Sequence, residues 1–366
     1  MSRVAEAMIV AGGAGTRLRP LTRSTPKPLL PFCGAPFLSG VIRQLARVGV
    51  ERVLLIVGPD PAPFEVLRQD ARLRGVEVET VPEPEPLDTA GGVREAVDRV
   101  SGAFLVLNGD ILTDVDVSAA LRTHERAEAA ATLVLTRVED TSTFGVVVRE
   151  GGRVRRFVEK PPPGTLPGHD TVNAGTYVLE PDALRQFPRG RLSFEREVFP
   201  HLLEQGAHIE GWVGSGVWAD LGTPERFLDG HRLALDGALR WPSLEDLPER
   251  SPGVRCASSA RVASGADVQG PVMIGPDVEV EDGATVGPYA VLGRGSRVGA
   301  GAVLRDSVLF DGVSLGARSV ACGLVAGHHA RMGDRVDVPH GAVLGDGATV
   351  ADDERLPRAS RRPDDA

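Results

Sequence analysis

The sequence predicts an α/β domain built on a mixed, mostly parallel sheet, followed by a parallel β-helix. Over residues 1 to about 235, short apolar runs alternate with segments of helical spacing. Helices arranged in that way cover both faces of a parallel sheet. From residue 259 onward, Val262, Val268, Ile274, Val280, Val286, Leu292, Val298, Leu304 and Phe310 recur every six residues. Neither an α-helix nor an alternating strand has that period, and a β-helix coil does.

In the first half, strands are predicted over 7–10, 53–57, 76–81, 104–107, 131–138 and 176–179, several of them apolar on both faces. Helical spacing falls between them over 37–48, 63–72, 89–100 and 117–127. In the second half the six-residue phase slips around 311–327, and Met332, Val338, Leu344 and Val350 then resume it. The proline-bearing stretch 237–258 reads as a linker, and the Arg-, Asp- and Pro-rich residues 353–366 as a disordered tail. The expected organisation is therefore an α/β domain over 1–236, a linker over 237–258, a β-helix over 259–352 and a tail over 353–366.

At 366 residues the chain can bury two separate cores. A net charge of −9 disfavours a broad nucleic-acid surface, and no apolar run reaches the length of a membrane span. Cys33, Cys256 and Cys322 are odd in number and scattered, against a disulfide framework or zinc site and for a reducing compartment. With no secretory signal pattern, a cytoplasmic location is expected. Of 41 basic residues only Lys27 and Lys160 are lysine. The two positions that keep a compact ammonium are thus candidates for needing one.

The turn Gly12-Gly13-Ala14-Gly15-Thr16-Arg17 follows the first predicted strand, at the end where ligands of open α/β sheets bind. Leu18 stands where a dinucleotide fingerprint has its third glycine, and no Gly-Lys-Ser/Thr follows, which removes the dinucleotide and P-loop readings. A backbone loop followed by Arg17, Arg19, Arg23 and Lys27 remains, able to cradle a polyphosphate. Asp110 comes after the strand at 104–107, and Asp220 lies in Trp218-Ala-Asp-Leu-Gly. At such places a carboxylate holds a divalent cation or caps a turn.

The whole string from Ala11 to Pro28 resembles the signature of the sugar-1-phosphate nucleotidyltransferases. Leu87-Asp88-Thr89-Ala90-Gly91, Asn108-Gly109-Asp110, Glu159-Lys160-Pro161, Asn173-Ala174-Gly175-Thr176-Tyr177, Phe194-Glu195-Arg196-Glu197 and Trp218-Ala219-Asp220-Leu221-Gly222 follow in the family's order. The resemblance covers residues 6–230 and implies a Rossmann-like nucleotidyltransferase domain; the β-helix that accompanies it in this family is left-handed. The implied reaction is attack by a sugar-1-phosphate oxygen on the α-phosphorus of a nucleoside triphosphate, expelling pyrophosphate. No protein nucleophile is needed, so catalysis reduces to positioning and charge neutralisation.

The same resemblance assigns roles residue by residue. Ala11, Gly12, Gly13, Gly15, Thr16, Arg17, Lys27, Thr89, Gly91 and Gly109 are expected at the nucleotide, with Arg17, Lys27 and Asp110 catalytic. Glu159, Lys160, Asn173, Gly175 and Glu195 are expected at the sugar phosphate, and Asp110 and Asp220 at Mg2+. The layout is most similar to the mannose-1-phosphate guanylyltransferases, with GTP and mannose-1-phosphate as expected substrates; a glucose-1-phosphate thymidylyl- or uridylyltransferase is the alternative. Asp88 departs from the usual glycine of that string. A non-catalytic regulatory homologue is expected to have lost Arg17, Lys27, Asp110 or Asp220, and all four are present. Hexapeptide β-helices also build acyltransferases, for which His328-His329 at the phase slip is the candidate. Otherwise the β-helix is expected to mediate homo-oligomerisation.

Overall fold

The computed structural model describes residues 4–72, 75–162, 164–166 and 168–363. Two compact units divide it, one formed by residues 1–13 and 41–218 and the other by 14–40 and 219–366.

The first unit holds a nine-stranded sheet. Its strands are β1 (Glu6–Val10), β2 (Arg52–Val57), β3 (Glu77–Pro82), β4 (Phe104–Asn108), β5 (Ala131–Arg137), β6 (Gly145–Glu150), β7 (Arg153–Glu159), β8 (Thr171–Leu179) and β9 (Ile209–Val213). In space they run β3-β2-β1-β4-β8-β5-β9-β7-β6. The half around β1 is parallel throughout, with β3, β2, β1 and β4 side by side. Beyond β4 the sheet is mixed: β8 is antiparallel to β4 and β5, whereas β9 is parallel to β5. The predicted helices form as α1 (Phe37–Arg47), α2 (Glu65–Arg72), α3 (Asp88–Ala96) and α4 (Val117–Ala127). Asp116 caps α4, its carboxylate accepting from the Ala119 N–H at 3.0 Å. The expected strands at 53–57 and 104–107 are buried on both faces, as parallel strands under helices must be.

The second unit contains α5 (Pro224–Leu235) and the β-helix. Three parallel sheets of short strands make its walls, and Val, Leu and Ala at the same register in successive coils fill its interior. Val272–Ile274, for example, pairs with Ala290–Leu292, which pairs with Ser307–Leu309. The step from Ile274 to Leu292 is 18 residues, but from Leu292 to Leu309 it is 17. The inward positions step by five residues instead of six twice: from Leu304 to Leu309, at the Arg305–Ser307 corner where Asp306 has φ 49°, and from Ala321 to Ala326, inside the expected 311–327. Leu309, rather than the expected Phe310, takes the inward register; Phe310 packs outside the coil against Phe227, with ring centroids 6.3 Å apart.

Coiling also extends past both expected limits. Glu249–Ser251 and Val254–Cys256 start a sheet inside the expected linker, and Arg361–Arg362 pairs with Val343–Leu344 inside the expected disordered tail. Polar composition suggested the tail, but the backbone ladder of a coil needs few apolar side chains.

An aromatic cluster attaches residues 14–40 to the β-helix. Trp241 stacks on Phe37 at 5.4 Å and meets the edge of Phe32 at 4.9 Å. His231 is buried 4.2 Å from Phe32; Phe227 O accepts from its Nδ1, and its Nε2 accepts from the Cys33 N–H. Burial pushes the His231 pKa down to about 4, so the ring is neutral, as this pair of bonds requires. Arg232 of α5 clamps Asp306 at the short corner through Nε and Nη2. These contacts are why the compact units do not divide at residue 236.

Candidate active site

Parallel pairing of β1 with β2 and β4 brings three strand ends together in the first unit. Ala11 N–H donates to Ile56 O, and Gly109 N–H to Val10 O at 2.8 Å. A Cβ at Gly109 would lie 2.8 Å from that same carbonyl, so only glycine lets the chain carrying Asp110 come so close. Above Gly13 and Gly58 there is open space.

Beneath the turn lies a residue that the motif reading missed. Glu83 follows β3 and is buried; its Oε2 would lie 3.0 Å from a Cβ at Gly12. Burial raises its pKa to about 7, and the backbone N–H of Gly92 offsets only part of that. Its Oε1 is fully buried and makes no hydrogen bond. A buried acceptor without a donor is expensive to keep. A glutamate three residues before Pro86 was the available signal.

A second cleft of about 460 Å3 in the same unit is lined by Asp88, Thr89, Glu159, Lys160, Asn173, Glu195 and Arg196, among others. The β6–β7 hairpin turns on Gly151 and Gly152, both at positive φ, and sets Glu159 opposite Gly145 at its far end. Lys160 then projects exposed, Nζ 3.6 Å from Glu159 Oε1. Burial, with Glu195 nearby, holds the Glu159 carboxyl above its usual range.

The β8–β5 ladder bulges between Asn173 and Tyr177. Gly175 sits in that bulge at φ 70°, where a Cβ would be 2.5 Å from Asn108 Nδ2. The bulge aims Asn173 at Tyr177: Asn173 Nδ2 donates to Tyr177 Oη at 2.7 Å, and Tyr177 donates to Glu195 Oε1 at 3.2 Å. Thr89 and Ser193 hydroxyls donate to Glu195 Oε2 at 2.7 and 3.1 Å. Glu195 is thus held rigidly by three donors. Thr89, expected at the nucleotide, spends its hydroxyl proton on this carboxylate. Gly91 is required for packing: a Cβ there would lie 2.5 Å from Gly190 O. Asp88 adopts φ 68°, the left-handed region that explains a glycine at this position in the resembling string. It caps the Thr89 N–H and pairs with Arg196 and Arg191.

In the second unit, Gly15 at φ 58° folds the turn onto Lys27 and Thr22; a Cβ there would meet Lys27 Cβ at 2.9 Å. Thr22 locks the turn by donating to Gly15 O at 2.8 Å. Thr16 opens the 3-10 turn Thr16–Leu18 that carries Arg17. Lys27 Nζ, in an 11%-exposed side chain, lies 3.7 Å from Asp220 Oδ1. Arg17 Nη2 is 4.0 Å and Arg226 Nη1 2.7 Å from Asp220 Oδ2. Asp220 Oδ1 is buried and without a hydrogen-bond donor. Lys27, Arg17 and Arg226 thus gather three cations around the one Asp220 carboxylate. Among the described residues no cluster of three or more His, Cys, Asp or Glu is preassembled for a metal, and no helix is long and apolar enough to cross a membrane.

Residues 6–237 match the family model described as nucleotidyl transferase. The chain belongs to the nucleotidyl transferase family. Residues 268–360 of this nucleotidyltransferase match a second model, the GMPPB C-terminal domain. It is 38% identical over 325 residues to a mannose-1-phosphate guanylyltransferase of Mycobacterium tuberculosis, covering 86% of this chain and 82% of that one. It is also 32% identical over 359 residues to a probable mannose-1-phosphate guanylyltransferase 2 of Arabidopsis thaliana, covering 95% and 93%. Among solved structures it is similar to HddC from Yersinia pseudotuberculosis, with TM-score 0.53 and 26% identity over 62% of this chain and 97% of that one. The same protein complexed with GMP-PN gives TM-score 0.53 at 25% identity. As a nucleotidyltransferase, the chain takes a nucleotide and a sugar phosphate as substrates.

Proposed function

We propose that this nucleotidyltransferase transfers guanylyl from GTP to mannose-1-phosphate. Relatives matching it over nearly the whole chain carry that name, and the observation of this chain that supports the base is Glu83. Guanine presents two adjacent donors, N1–H and the 2-amino group, and an ionised carboxylate accepts both. Uracil and thymine present one donor flanked by carbonyls that a carboxylate repels.

In this reading the phosphate oxygen of mannose-1-phosphate forms a bond to the α-phosphorus as the bond to the bridging oxygen of pyrophosphate breaks. Arg17 and Lys27 neutralise charge on the triphosphate, Lys160 binds the sugar phosphate, and the fixed Glu195 with Asn173 orients the hexose. Asp220, whose Oδ1 lacks a donor, and Asp110 suit Mg2+, which when bound supplies further neutralisation of phosphate charge. Three free cysteines among the described residues support a cytoplasmic setting, and the repetitive walls of the β-helix support self-association.

Glu83→Gln tests the base assignment. The variant has one acceptor and a repelling amide where two acceptors are needed, so KM for GTP should rise about tenfold or more while KM for UTP changes little. An unchanged KM for GTP contradicts the assignment. A pH signature accompanies it. Because the folded pKa is raised, the stability from protonating Glu83 is full below about 4.5 and lost as pH rises through about 7. The melting temperature of Glu83→Gln relative to the wild type should therefore climb between pH 5 and pH 8.

A further inference from the structure

The segment from Arg17 to Lys27 has little regular structure of its own. It consists of three isolated 3-10 turns, Thr16–Leu18, Leu21–Arg23 and Lys27–Leu29, with Leu18, Leu21 and Leu29 buried beneath. Such turns are poorly hydrogen-bonded and hold their geometry only through their surroundings. Two bonds reach the junctions between them, and both come from the end of the β-helix. Arg361 Nη1 donates to Arg19 O at 3.1 Å, between the first and second turns. Ser24 Oγ donates to Asp346 Oδ2 at 2.6 Å, just past the second.

Both partners are fixed in turn. Asp346 Oδ1 accepts the His328 N–H at 2.8 Å, so the carboxylate bridges a neighbouring coil and the segment. Arg361 stands on the strand that pairs with Val343–Leu344. Gly34, farther along the same segment, packs on the β-helix so closely that a Cβ would run into Met273.

We propose that the last coil of the β-helix, through Asp346 and Arg361, positions the phosphate-binding segment that carries Arg17 and Lys27. The inference rests on those two residues being the cations of the triphosphate. It gives the β-helix a part in nucleotide binding besides any role in assembly, and it makes Asp346 and Arg361 positioning residues. Neither touches substrate. Their effect passes through the backbone at Arg19 and the side chain of Ser24, so it falls on one substrate and spares the other.

The double variant Ser24→Ala/Arg361→Ala removes both bonds and leaves the Asp346–His328 bond intact. Amide hydrogen exchange of the full-length protein without substrates should be faster by about tenfold over residues 14–30 and unchanged in the other coils. Its KM for the nucleoside triphosphate should rise about fivefold or more, with KM for the sugar phosphate within about twofold of wild type. Ser24→Ala/Arg361→Lys, which can still donate to Arg19 O, should recover part of both effects. Unchanged exchange over 14–30 overturns the proposal, as does a parallel rise of both KM values with a lowered melting temperature. Should the intact protein turn over no nucleotide, exchange alone decides the coil's part, and the failure belongs to the reaction assigned above.

Discussion

Arg17→Ala should lower turnover by about 10²–10³ while leaving the fold intact, the loss seen when one preorganised charge stabiliser is removed. The Arg17 side chain is 63% exposed and its nearest carboxylate oxygen, on Asp220, is 4.0 Å away. An ion pair so exposed contributes roughly 0–1 kcal/mol to stability. On the role proposed for Arg17, its deletion should therefore appear in kcat at saturating substrates with an unchanged unfolding curve. Lys27 differs, being buried and packed against Gly15. A guanidinium is planar and larger than the ammonium it would replace in this buried position, so even charge-preserving Lys27→Arg should reduce turnover by about tenfold or more. Near wild-type turnover in both variants would mean that the basic segment serves packing alone.

The largest expected loss of stability follows Trp241→Ala. Its indole is buried between Phe32 and Phe37 and lies directly against Gly40. Truncating a fully buried indole costs about 3–5 kcal/mol through lost transfer energy and the cavity left behind. Because the cluster fastens residues 14–40 to the β-helix within the second unit, the loss should fall on that unit's denaturant transition and leave that of the first unit in place. A change below about 1 kcal/mol would show that the cluster is incidental.

Periodicity made the β-helix legible, and alternation made the parallel half of the first sheet legible. Both reflect side chains repeating on one buried face. Of the two shortened corners, the earlier one at Asp306 was hidden because Leu309 and Phe310 are adjacent apolar residues and only backbone pairing says which points inward. The β6–β7 hairpin carried a Gly151-Gly152 turn signal, but Arg153, Arg155 and Arg156 masked its alternation. Motif order brought out Glu159, Lys160, Asn173 and Glu195, which line one cleft. It did not reveal that Thr89 and Tyr177 spend their hydroxyls on Glu195, nor that Glu83 Oε1 is buried without a donor, because burial and hydrogen bonding arise from packing distant segments. The attachment of residues 14–40 to the β-helix was equally hidden; it depends on Trp241 in what composition marked as a linker.

The most direct test is pyrophosphate release by the full-length protein with Mg2+, across GTP, ATP, UTP, CTP and dTTP paired with mannose-, glucose- and galactose-1-phosphate. GTP with mannose-1-phosphate should give the highest kcat/KM. A higher value for UTP or dTTP with glucose-1-phosphate would contradict the base and sugar assigned here.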